Sequence, residues 1–290
     1  MNKIKKEVSR PIINSISGLS KTDHNIIEFI NKFQEPVFDL TINDLAELSG
    51  TSVSGVSRFV KKYNFKNYQE FKVQVNLIIQ KFEKNYTINN NDSFSTIISS
   101  HRFAIDSLYN EVVLEKIKEA AKIINQSNKI LIQGSGSSKR ISDNLYANIL
   151  KIGKTPISNS DFHVFFPSIS NCNSSDVLIL FSNNLNTPEQ IFSIQIAKEN
   201  KFKIIVITSN EDNEYDQFFD VKIVYNKIHS SYIDVPLSSK LSQLLITDLL
   251  FQALILEDSN LENKLHNSRK VINRWLEIGK ENISNKIHKK

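Results

Sequence analysis

The chain has 290 residues, 40% of them hydrophobic and 23% charged, with a formal net charge of +5. That apolar content excludes a disordered chain, and the length exceeds the usual single domain and points to two. Cys172 is the only cysteine, which excludes an intrachain disulfide and a cysteine-based zinc site and fits a reducing cytoplasm.

No secretory signal is expected at MNKIKKEVSR, because the apolar run that should follow is broken by Asn14, Ser15, Ser17 and Gly18. The run VLILF at 177–181 is far too short to cross a bilayer. A soluble cytoplasmic protein without a membrane partner is expected. Residues 1–86 carry 13 Lys and Arg against 9 Asp and Glu, whereas 87–290 carry 23 against 22, so the excess charge sits at the N-terminal end. Between 58 and 84, Arg58, Lys61, Lys62, Lys66, Lys72, Lys81 and Lys84 face only Glu70 and Glu83, a field suited to a polyanion.

The first helix is expected at 22–33, with Thr22 as its cap, Ile26, Ile27, Ile30 and Phe33 on one stripe, and Pro36 as its stop. A second begins at Thr41 or Asn43 and turns Ile42, Leu45, Ala46 and Leu48 inward. Gly50 supplies the positive φ for a sharp turn, and Ser52 caps a third helix whose Val53, Val56, Phe59 and Val60 are apolar. The spacing from Ala46 through Gly50 to Val56 suits a helix-turn-helix. With those residues buried, Ser52, Ser54, Ser57, Arg58 and Lys61 remain outside, small hydroxyls and cations that can meet phosphates and base edges, and Lys62 joins them. A fourth amphipathic helix follows, with Phe65, Tyr68, Phe71, Val75, Ile78 and Ile79 packing beneath. The run TINDLAELSGTSVSGVSRFVKKYNFKNYQEFK resembles the N-terminal DNA-binding domain of the RpiR family of bacterial transcriptional regulators. Asn64 stands where that family commonly has glycine.

KNYTINNNDS at 84–93 is polar and Asn-rich, and it separates a DNA-binding domain at 1–85 from a second domain at 94–275 by a linker at 86–93. Residues 276–290 are expected to form a polar tail. In the second domain KILIQ (129–133), TPIS (155–158), VLILF (177–181), KIIVIT (203–208) and VKIVY (221–225) alternate with helices expected at 94–109, 112–126, 138–151, 187–200 and 239–257. That rhythm predicts an α/β domain with a five-stranded parallel sheet flanked by helices, in the flavodoxin-like order 2-1-3-4-5.

Two strand-to-helix loops carry chemistry. GSGSS at 134–138 offers hydroxyls and amides to an anion, while Lys139 stands where a dinucleotide fingerprint needs glycine. SNNLNT at 182–187 leads into a helix start marked by Thr187, Pro188 and Gln190 as N-cap, first-turn proline and capping-box residue. In that strand order both loops flank the switch point where open α/β sheets bind ligands. Hydroxyl-rich turns that only cap their helices are the bland alternative.

ILIQGSGSS, DFH at 161–163, DVLILFSNNLNT and SSKLSQLLITDLLF at 238–251 resemble the sugar isomerase (SIS) domain, the phosphosugar-binding module of RpiR-type regulators. The resemblance implies a ligand site at Ser135, Gly136, Ser137, Ser138, Ser182, Asn184 and Thr187, with Lys240 in place of the family's usual arginine, near a neighbouring subunit's ligand. It also implies a cytoplasmic regulator of carbohydrate-metabolism genes, a homodimer or tetramer, with a duplex DNA operator and a sugar-phosphate effector as partners. Residues 239–257 and the helices at 94–126 are expected to form the association surfaces. The family's second loop usually has serine and glycine where Asn184 and Leu185 stand, and Leu185 adds bulk and restricts the backbone where a phosphate would be cradled. Two alternatives follow: a phosphosugar isomerase with an accessory N-terminal domain, and a regulator whose SIS domain only dimerises. Of the histidines, only His163 lies near a strand end as a general-base candidate, and none shows metal-ligand spacing. No catalytic residue, metal or cofactor is expected.

Overall fold

The computed structural model describes residues 8–14, 16, 18–86, 88, 92–230, 233 and 239–287. Outside the described residues lie 1–7 of the expected first domain, 87 and 89–91 of the linker, 288–290 of the tail, and Ser15, Ser17 and Ser238.

A short strand β1 (Val8–Ser9) precedes α1 (Lys21–Lys32), α2 (Ile42–Leu48), α3 (Val53–Lys62) and α4 (Tyr68–Asn85). Each helix opens on a side chain that satisfies a free first-turn amide. Thr41 accepts from Asp44 N–H, Ser52 from Gly55 N–H and Asn67 from Glu70 N–H. The cap of α1 is Ser20 rather than Thr22, because Ser20 and Asp23 form a reciprocal capping box and the helix begins at Lys21. Ile26, Ile30, Leu45, Val56, Phe59, Phe71, Val75 and Ile79 make the core of this half. Leu48, Val53 and Ile78, expected inward, are 57%, 41% and 37% exposed. Ser49 is buried beside Leu48, its Oγ donating to the Leu45 carbonyl over 2.6 Å.

The second half runs α5 (Ser93–Leu108), α6 (Glu111–Gln126), β2 (Ile130–Gly134), α7 (Ser137–Lys151), β3 (Pro156–Ile157), α8 (Phe162–Ile169), β4 (Val177–Phe181), α9 (Pro188–Asn200), β5 (Lys203–Thr208), β6 (Val221–Val224), β7 (His229–Ser230), α10 (Ser239–Glu257) and α11 (Ser259–Ile287). Five strands pair in parallel in the order β3-β2-β4-β5-β6, which is the predicted 2-1-3-4-5. Alternate residues serve opposite layers. Ile130, Ile132, Ile179 and Phe181 share a core with Ala121, Ile149 and Leu250 of α6, α7 and α10. Leu131, Leu178 and Leu180 share another with Phe165 of α8 and Ile194 of α9. Helices on both faces explain why β2 and β4 read as unbroken apolar runs.

Helix α10, expected as an association surface, buries one face within its own chain: Ser242, Gln243, Ile246, Thr247, Leu250 and Leu254 are buried, and it packs on α5, α6 and α7. Phe94, Ile98 and Ile105 on α5, Tyr109 just after it and Val112 on α6 remain exposed.

Helices α8 and α11 and the pairing of β1 with β7 were not predicted. Leu261 and Leu265 anchor the start of α11, and Ser268 Oγ donates to the Lys151 carbonyl over 2.7 Å. Beyond that point Val271 and Trp275 are 70% and 69% exposed, and the helix passes through the expected tail boundary at 275/276. Antiparallel pairing of Val8 with Ser230 and Ser9 with His229 stitches the two halves together. Ile228 and Phe103, from the second half, sit in the apolar core of the first.

Candidate functional site

The first site is the outer face of α3. Gly50 has φ +64, and the Thr51 amide donates to the Ala46 carbonyl over 2.8 Å, which fixes the turn between α2 and α3. Asn64 occupies the same left-handed region at φ +63, a conformation asparagine tolerates better than most residues, so it replaces glycine at little cost. Ser54, Arg58 and Lys61 are exposed on α3, and Ser57 is half-buried. Ser52 Oγ caps the helix through Gly55 N–H and lies 3.0 Å from Ser54 Oγ. Lys62 differs from its neighbours. Its Nζ donates to the Gly18 carbonyl over 2.6 Å and to Asp23 Oδ2 over 3.0 Å, so it ties α3 to α1. Burial alone would raise the Asp23 pKa, but hydrogen bonds from Ser20 and Lys62 hold it below the ordinary carboxylate value. Lys72 is also engaged, with Asp39, while Lys66, Lys81 and Lys84 are exposed.

The second site lies where the adjacent strands β2 and β4 end. Both predicted loops line one cavity of about 160 Å³: Ser135, Ser137 and Ser138 from the first, Ser182, Asn183, Asn184, Asn186 and Thr187 from the second, with Gln190 of α9. The cavity therefore opens onto the N-termini of α7 and α9, whose dipoles favour negative charge. Gly134 makes the first loop possible, because a Cβ there would stand 2.8 Å from the Ser138 carbonyl oxygen. Ser135 Oγ is buried with no hydrogen-bond partner among the described residues. A ligand oxygen would satisfy it.

The second loop corrects two expectations. Leu185 has φ +54, the left-handed conformation that glycine would adopt, and its side chain is 2% exposed. That side chain packs with Phe165 and Ile194 under the sheet and does not line the cavity. The bulk expected to obstruct a phosphate is therefore turned away from it, at a backbone cost of about 1–2 kcal/mol. Thr187 is the residue before α9, but its hydroxyl makes no cap. Thr187 Oγ1 donates to Gln190 Oε1 over 2.7 Å, and Gln190 Nε2 donates to the Phe181 carbonyl over 3.0 Å, which pins the helix start to the end of β4.

Gly136 is the residue before α7, between the lining serines. Lys240 is half-buried at the start of α10 and His163 is exposed at the start of α8; neither lines the cavity. Gln243, one turn beyond Lys240, does reach the site. Its Nε2 donates to Ser138 Oγ over 3.1 Å and to the Tyr225 hydroxyl over 2.8 Å, and Tyr225 donates to Asn183 Oδ1. Lys227 Nζ donates to Asn184 Oδ1 over 3.2 Å. Asn183, Asn186 and Gln190 are thus lining residues that sequence reading missed, while Tyr225, Lys227 and Gln243 stand behind the wall, bonded to residues that line it. Asn183 and Gln190 stood inside or beside the quoted loop, whereas Tyr225, Lys227 and Gln243 come from segments far away in the chain and left no local signal.

The helix-turn-helix domain of the rpiR family matches residues 6–81, and the SIS domain matches residues 123–253. An uncharacterised HTH-type transcriptional regulator of Clostridium perfringens is 25% identical over a stretch covering 88% of this chain and 95% of that protein. Another, from Caldanaerobacter subterraneus, is 23% identical and covers 81% of this chain and 86% of its own length. Among solved structures, the Vibrio vulnificus NanR protein complexed with ManNAc-6P shares the fold with a TM-score of 0.56 at 20% identity, covering 89% of this chain and 95% of that one. The two matched domains together span more than half of the sequence, in the order that the reading helix and the loop cavity occupy in the fold: the chain belongs to the rpiR family of helix-turn-helix transcriptional regulators, with a SIS domain behind its DNA-binding domain.

Proposed function

We propose that this regulator reads duplex DNA through Ser54, Ser57, Arg58 and Lys61 and senses a sugar phosphate in the cavity between its two loops. One observation carries the sensing half. Apart from Phe181, the cavity walls hold hydroxyls and side-chain amides at two helix N-termini, and among the described residues no carboxylate, imidazole or ammonium lines them. Such a surface donates hydrogen bonds to a phosphate. Among the described residues it offers no general base in its lining, which favours binding over aldose–ketose isomerisation. Since the Leu185 side chain lies outside the cavity, the reading in which the domain only dimerises loses its motive.

Paired operator half-sites call for paired reading helices, so the chain acts as a homo-oligomer in the cytoplasm. The exposed apolar residues of α5 and α6 are the candidate association surface.

Isothermal titration of the full chain with a panel of sugar phosphates that includes ManNAc-6P tests the sensing role. Saturable binding of one of them, with a change in DNA affinity and no conversion of the sugar, is the expected result. Turnover of the sugar phosphate would overturn the non-enzymatic reading, and absence of binding across the panel would overturn the sensing reading.

A further inference from the structure

Leaving β6, the chain touches both the wall of the loop cavity and the DNA-binding half within six residues. Tyr225, 2% exposed, donates to Asn183 Oδ1 and accepts from Gln243 Nε2. Through Gln243 and its bond to Ser138, that hydroxyl joins the first loop, the second loop and α10 in one network. Lys227 then reaches Asn184. The next residue, Ile228, is 2% exposed and belongs to the apolar core of the DNA-binding half, and His229 and Ser230 pair with Ser9 and Val8.

From there the contacts continue to the reading helix. The Arg10 amide donates to the Asn31 carbonyl of α1 over 2.7 Å, and Asn31 Oδ1 accepts from the amides of Ile12 and Ile13. Helix α1 is held to α3 by Asp23 and Lys62. A bonded path therefore runs from the cavity wall to the helix that carries Arg58.

Lys227 has an electrostatic reason to respond to a ligand. It is half-buried, its recorded partner is a neutral amide, and burial pulls its pKa below the ordinary lysine value. Glu211 and Asp212 line a neighbouring pocket together with Lys227, whose ammonium is directed to Asn184. A desolvated ammonium with an amide for a partner is stabilised when an anion arrives beside it.

Building on the sensing role, we propose that Lys227 recognises the effector's anionic group and that the segment 225–230 passes occupancy of the cavity to the DNA-binding helices. An anion that draws Lys227 from Asn184 displaces a segment whose other end pairs with a strand of the DNA-binding half. Effector binding and DNA binding then shift one another by the same factor.

The test uses the full chain, the sugar phosphate that binds it most tightly, and a duplex selected from a random pool by the wild type. Lys227→Met keeps the apolar stem and removes the charge, and Tyr225→Phe removes one hydroxyl and keeps the ring. Thermal unfolding confirms that both variants fold. For Lys227→Met, effector affinity falls about tenfold or more while DNA affinity without effector stays unchanged. For Tyr225→Phe, effector affinity stays near wild type while the ratio of DNA affinities with and without effector falls toward one. If both variants bind effector and shift DNA affinity as the wild type does, this coupling is wrong and sensing stands. If the wild type binds no member of the panel, sensing falls and the coupling falls with it.

Discussion

Ser182 Oγ accepts the Leu185 amide over 3.0 Å, so the hydroxyl that faces the loop cavity also holds the turn that directs Leu185 into the core. Ser182→Ala therefore weakens sugar-phosphate binding at least several-fold and also lowers stability by about 1–2 kcal/mol, since a buried amide loses its acceptor. Calorimetric titration and urea unfolding measure the two effects separately.

Leu185→Gly relieves the left-handed strain but removes a buried side chain. Loss of burial outweighs the strain, and the net cost is about 1–4 kcal/mol. Sugar-phosphate affinity stays unchanged because Leu185 does not line the cavity. A raised melting temperature for this variant would show that the side chain contributes less than its burial indicates.

Gly134→Ala places a methyl group 2.8 Å from the Ser138 carbonyl oxygen, which is backbone and cannot swing aside. The start of α7 moves, at a cost of about 1–3 kcal/mol. Ser135, Ser137 and Ser138 move with it, so binding and stability fall together, as differential scanning calorimetry and titration of one sample reveal.

Lys61→Ala and Lys62→Met separate two neighbouring cations. Loss of Lys61 weakens binding to all DNA sequences alike and lowers the slope of log affinity against log salt by about 0.9. Arg58→Ala costs about 1–3 kcal/mol on the selected operator and little on random DNA. Fluorescence anisotropy over a salt series distinguishes them. Equal loss on both DNAs would make Arg58 a phosphate contact.

Lys62→Met acts mainly on stability, because it leaves Asp23, 6% exposed, without its ammonium partner. The folded Asp23 pKa lies below its unfolded value, so the contribution is present above the unfolded carboxylate pKa and lost as pH falls through the folded one. The variant is less stable by about 1 kcal/mol at neutral pH, and the gap closes below about pH 4. Urea unfolding at pH 7 and pH 3 checks both parts.

Legibility in the sequence followed the range of the interactions. Helix-turn-helix and sheet were readable because Gly50, Ser52 and the runs from KILIQ to VKIVY act locally, through caps, turns and period. Loop positions were readable because strand order dictates where open sheets bind. The conformation of Leu185 was not, since whether a leucine obstructs or retreats depends on the space beneath it, which Phe165 and Ile194 define from other helices. Tyr225, Lys227 and Gln243 were hidden for the same reason: they meet the loops only once the sheet exists. The pairing of β1 with β7 joins two-residue strands whose partners, Val8 with Ser230 and Ser9 with His229, lie far apart in sequence, too short to leave a period. Helix α8 was obscured by Pro167 inside it.

Helix α11 rises about 1.5 Å per residue over 29 residues, and Trp275, on its projecting half, is the chain's single tryptophan. Intrinsic indole fluorescence of this protein is therefore a spectroscopic label placed on one arm, outside the residues that line the loop cavity. With Trp275 69% exposed, collisional quenchers reach it freely in the isolated chain. Emission that shifts to the blue and becomes shielded from quencher as protein concentration rises would mark this arm, rather than α5 and α6, as the place where chains meet.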